Sequence, residues 1–262
     1  MRGISTAQCV NGNKRIGILI VGFTTELKIK IQHMDIHTIA IISIVTCIAC
    51  FFIIFIDILT HPRPMTVMNL VWPITALYAG PVAVLLYYKA GRQKRADKAE
   101  HHPGATMESM PRPERPFWQS VVIGTLHCGA GCTIGDLISE ILLLFIPVVV
   151  FGSKVYGGWI VNFAFAFVIG IVFQYVAIKP MRNITVKEGI IAALKADTLS
   201  LTCWQVGMYG WMAISFFLIF HHVIETTNPV FWLMMQIAML AGFITAFPIN
   251  WFLIKAGIKE AM

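Results

Sequence analysis

Six runs of apolar residues, each near the ~20 that a helix needs to cross a bilayer, occupy most of the chain. They cover about 37–59, 67–88, 119–151, 156–178, 198–220 and 230–254. Short polar breaks pair them into hairpins: His61 to Pro64, Gly152 to Lys154, and His221 to Pro229. The pattern predicts an all-α polytopic membrane protein with about six transmembrane helices in three hairpins. Spans three and five exceed one perpendicular crossing, so each is expected to begin with an amphipathic inner portion. Thr185 and Glu188 have capping-box spacing, which starts a helix near Val186. Asp197-Thr198 is expected to cap the crossing helix that follows.

The polar segments set the organisation. Residues 91–116 are basic and proline-rich and read as a cytoplasmic linker. They separate a two-helix hairpin, 34–90, from a four-helix domain, 117–262. Residues 1–33 read as an N-terminal extension, with Met34 as the expected natural start. Of the 20 Lys and Arg, all but Arg63 and Lys154 fall on one side if both ends are cytoplasmic. The positive-inside bias therefore predicts an N-in, C-in orientation.

Composition agrees with this class. The chain is 57% hydrophobic and only 13% charged, where soluble domains carry roughly 25%. Its +7 net charge lies in the loops between spans, which excludes a nucleic-acid-binding surface. The bilayer is the expected partner. None of the six cysteines falls in an expected outer segment, so no disulfide framework is implied.

One span carries unusual chemistry. His127-Cys128-Gly129-Ala130-Gly131-Cys132 is followed by Asp136 and Glu140. Ionisable groups at membrane depth are costly and mark polar pathways or paired sites. At about 100° per residue, Cys128, Cys132, Asp136 and Glu140 share an arc of about 120°. From Cys128 to Glu140 the stripe extends about 18 Å along the helix. Imidazole, thiolate and carboxylate make His127, Cys128, Cys132, Asp136 and Glu140 candidate metal ligands. His127 lies off the stripe, and a break at Gly129 and Gly131 would bring it back. On span five, Asp197, Thr198, Gln205, Met208 and Met212 form the expected facing wall. Thioethers at Met208 and Met212 and thiolates suit copper or another soft metal. Span four adds Asn162 and Gln174.

Plainer readings compete. Cys128 and Cys132 also suit a small-residue packing seam. The methionine pairs suit core packing, as do Cys47 and Cys50 among their apolar neighbours.

Several strings resemble a known family: Met68-Asn69-Leu70-Val71-Trp72-Pro73, the His127 to Cys132 box, Lys195-Ala196-Asp197-Thr198, and Asn250-Trp251 with Gly257-Ile258-Lys259-Glu260. They are similar to a bacterial multi-pass inner-membrane family catalogued as domain of unknown function 4396. The resemblance implies a helical fold over roughly 115–258, in the bacterial cytoplasmic membrane, and no particular activity.

The residues support first a small-cation permease or metal-handling protein, with a soft metal, copper foremost, as substrate. The alternatives are a membrane thiol-disulfide oxidoreductase, the only enzymatic one, and a structural or assembly subunit. The pattern is compatible with a homo-oligomer.

Overall fold

A computed structural model describes residues 36–62, 66–91, 116–179 and 185–259. The N-terminal extension, nearly all of the basic linker and Cys9 lie outside the described residues. Six helices are long and apolar enough to cross a membrane. Helix α1 is Ile36–Thr60 and α2 is Thr66–Leu86, continued by a π-turn, Tyr87–Gly91. Helices α3 and α4 are Phe117–Phe145 and Lys154–Ile178. Helix α5 is Val186–Ala213 with a π-segment, Ile214–Ile219, and α6 is Pro229–Lys255. Among the described residues the only non-helical pairing is a bridge between Val150 and Ser153.

Local chemistry sets the boundaries. Helix α3 stops at Phe145 rather than near 151, because Ile146 precedes Pro147, and a residue before proline disfavours the helical region. Ser153 caps α4 by accepting from the Val155 amide, and Asn228 caps α6 by accepting from the Val230 amide. The Thr185–Glu188 capping box forms and starts α5. Asp197 is not a cap: α5 runs unbroken through it. Helix α3 is also continuous, so no break at Gly129 or Gly131 redirects His127. Helix α2 is kinked where Gly80, at φ +50°, precedes Pro81, a left-handed value that glycine tolerates.

Packing is most extensive between α5 and α6 and between α3 and α4. Only 22% of the apolar window of α1 is buried, against 56% in α2 and in α3. Helix α1 therefore turns most of its surface to lipid, and α3 to protein. Along α1, Ser43 donates to Gln236 Oε1 of α6 at 2.6 Å, and Asp57 Oδ2 accepts from Tyr87 at 2.7 Å. Cys47 and Cys50 are buried in this hairpin and form no disulfide.

Candidate functional site

Helices α3 and α4 run antiparallel along a seam with a four-residue step. Ser139 faces Asn162, Gly135 faces Ala166, and Gly131 faces Gly170. The two glycines are required by close approach: a Cβ on Gly135 would stand 2.5 Å from Ala166 Cα, and one on Gly131 3.0 Å from Gly170 Cα. Small residues allow such contact in membrane bundles. The next step along the same register pairs the positions of His127 and Gln174, and the ring of adjacent Phe173 lies 5.9 Å from the imidazole. A polar pairing thus stands at each end of the seam.

The pairing at Ser139 is complete. Its hydroxyl donates to Asn162 Oδ1 at 2.7 Å, and Asn162 Nδ2 donates to Glu140 Oε1 at 2.8 Å. Thr226, in the loop between α5 and α6, donates to Glu140 Oε2 at 3.0 Å. Both oxygens of Glu140 are therefore engaged.

The pairing at His127 is not. His127 and Gln174 are fully buried, yet neither ring nitrogen and neither amide atom has a hydrogen-bond partner. Between the two ends, Asp136 is 2% exposed with both carboxylate oxygens unpartnered. The Gln205 amide of α5 lies beside it without completing a hydrogen bond. Cys128 and Cys132 occupy successive turns between these groups, with their sulfurs adjacent. Tyr78 reaches in from α2 toward both thiols, and its hydroxyl has no partner. Trp204 covers Gly129, and its indole nitrogen is also unpartnered.

At the end where α6 finishes, the chain turns back. Gly257 takes φ +68°, a left-handed value that favours glycine, and the amides of Ile258 and Lys259 both bond Leu253 O. The turn drives Lys259, 2% exposed, into the bundle, where its Nζ meets Asp197 Oδ1 at 2.8 Å. Burial works most strongly against the Lys259 charge, but the charge and hydrogen bond of Asp197 lead the opposing influences, and together these hold the ammonium above its ordinary range. Asp197 Oδ2 has no partner. Nearby, Asn250 of α6 donates to Ser200 at 2.7 Å while its Oδ1 is unpartnered.

The expected metal-ligand set is spread out rather than gathered. Among the described residues, no three His, Cys, Asp or Glu side chains converge to hold a metal ion. On an unbroken helix, His127 turns to Phe173 of α4, Asp136 to Gln205 and Glu140 to Asn162, leaving the two thiols together. Of the expected facing wall, Asp197, Gln205, Met208 and Met212 are buried. Thr198 is a correction: it is exposed, and its hydroxyl donates to Leu194 O of its own helix. It directly follows Asp197, so a turn of about 100° carries it off the inner face. Sequence reasoning missed Lys259, Asn250 and Tyr78. A lysine two residues beyond a helix-ending glycine was the available signal for the first.

No curated protein and no solved structure matches the chain. The model of one family, Domain of unknown function (DUF4396), matches residues 117–259, from the first residue of α3 to the buried lysine. The match covers more than half of the chain and the whole seam, and the protein belongs to the DUF4396 family.

Proposed function

We propose that the protein is a permease for a small cation, with the path running through the α3–α6 unit. The observation that carries this reading is the run of unpartnered buried polar atoms from His127 and Gln174 to Gln205 and Asp136. In an apolar medium each such group costs roughly 1–3 kcal/mol by protein mutational measures. A bundle selected for stability alone would pair them or replace them with leucine. A path that admits water and a cation satisfies them when it is in use.

Cys128 and Cys132 give the path a soft station near its middle. Copper(I) is therefore the first species to test and the proton the second. With no three-ligand cage, the cation passes between stations of few donors, which suits release better than storage. The positive-inside charge distribution supports a cytoplasmic position for the Lys259 end, and the resemblance supports a bacterial inner membrane.

The thiol oxidoreductase reading has weaker support. Cys128 and Cys132 stand one turn apart on an intact helix, where Cβ vectors run parallel and a disulfide needs backbone movement.

Purified protein in proteoliposomes tests the proposal. Copper(I) and proton influx are followed with encapsulated indicators for wild type, Asp136→Asn and Cys128→Ser/Cys132→Ser. The expected result is flux above protein-free vesicles that falls about tenfold in Asp136→Asn, a barrier increase near 1.4 kcal/mol. Loss of copper flux alone in the cysteine variant assigns the metal. Absence of both fluxes in folded wild-type protein overturns the permease.

A further inference from the structure

One cation already sits at an end of this path, and it belongs to the protein. Lys259 Nζ is 2.8 Å from Asp197 Oδ1 with both side chains buried. It arrives on a short turn after α6, held by hydrogen bonds from the Ile258 and Lys259 N–H groups to Leu253 O rather than by a helix of its own. Two acceptors have no donor: Asp197 Oδ2 on α5 and Asn250 Oδ1 on α6, whose amide nitrogen meets Ser200, one turn along α5 from Asp197. Gln174 on α4 and His127 on α3 add an unpartnered amide and imidazole. Asp197 Oδ2 also lies 3.6 Å from where a Gly170 Cβ would stand, one turn from Gln174 on the same α4 face. The unpartnered Asp197 Oδ2 carries the single negative charge here, within one helical turn of Gln174 along α4 and, through Ser200, of Asn250.

Resting on the permease reading, we propose that Asp197, with Gln174 and Asn250, forms the entry site for a monovalent cation, and that Lys259 occupies it as a tethered stand-in which the incoming ion displaces. A single carboxylate is neutralised by one positive charge, which favours monovalent over divalent ions. An ammonium and a small monovalent cation make similar demands on oxygen ligands. Displacement frees the tail at Gly257 and exposes the way to Cys128 and Cys132.

The test uses full-length protein in lipid nanodiscs, where both faces meet solvent and no flux is required. Modification of Cys128 and Cys132 is timed by peptide mapping, with a methanethiosulfonate carrying a primary ammonium group and with an uncharged analogue of similar size. In Lys259→Met, the cationic reagent is expected to react at least tenfold faster than in wild type, and the neutral one to change little. Adding Asp197→Asn removes the gain, and Lys259→Arg retains the wild-type rate. Equal acceleration of both reagents, or a gain that survives Asp197→Asn, overturns the site.

A second measurement needs no variant. Amide exchange at Ile258 and Lys259 in wild type is expected to rise severalfold and saturably with ammonium or potassium chloride, but not with choline chloride at equal ionic strength. An identical response to choline also overturns it. A positive result here without vesicle flux would retain the cation site and remove the permease.

Discussion

The two ends of the α3–α4 seam have the same architecture and opposite outcomes. Ser139 and Asn162 face each other, and His127 and Gln174 stand at the corresponding positions one further step along the same helix register, with small residues between. At the first end every polar group reaches a partner, and Glu140 is held by both Asn162 and Thr226. At the second, four polar atoms are buried with none. On the permease reading, this unequal satisfaction separates a polar group kept for structure from one kept for passage. The first contributes to stability and the second costs it, so substitutions at matching positions should have opposite signs.

The largest effect comes from destroying the seam itself. Gly135→Val places a branched side chain where even a Cβ meets Ala166 backbone. The helices must part, and a loss of about 3 kcal/mol or more is expected in denaturant unfolding in detergent, with flux abolished. Asn162→Leu comes next. It strips a donor from buried Glu140 and an acceptor from Ser139, for a loss of about 2–3 kcal/mol. Its counterpart, Gln174→Leu, should leave stability unchanged or raise it by up to about 1 kcal/mol, while flux falls about tenfold. Equal destabilisation by the two leucines would erase the distinction between the ends. The smallest effect belongs to Thr198→Ala. With its hydroxyl turned outward to its own backbone, stability should change by no more than about 0.5 kcal/mol and transport not at all.

Six spans could be read from hydropathy because the bilayer imposes one length on every crossing. The stripe on α3 could be read because helical periodicity needs only one helix. What failed were inferences that needed a second helix. The expected break at Gly129 and Gly131 was a device to return His127 to its stripe. The folded chain instead gives His127 a neighbour on α4, and uses the glycines to admit Trp204 and Gly170. Asp197 followed by Thr198 has the look of a cap, and nothing nearby in sequence signals otherwise. Its counter-ion comes from 62 positions away, around a glycine turn. The Ser139–Asn162 and His127–Gln174 pairings likewise follow from α3–α4 register, which small residues permit without specifying.

The Asp197–Lys259 pair also bears on how the protein enters its membrane. Helix α5 has the lowest hydropathy of the six spans, 1.2, and carries Asp197. Its neutralising lysine lies beyond α6, so the translocon receives the acid a whole helix before the base. An unaccompanied α5 would present a bare carboxylate near the inner boundary of its crossing, at a cost approaching the roughly 2.5–3.5 kcal/mol of the bilayer centre the deeper it enters. Insertion of the last two helices together, as one hairpin closed by its own ion pair, avoids that intermediate.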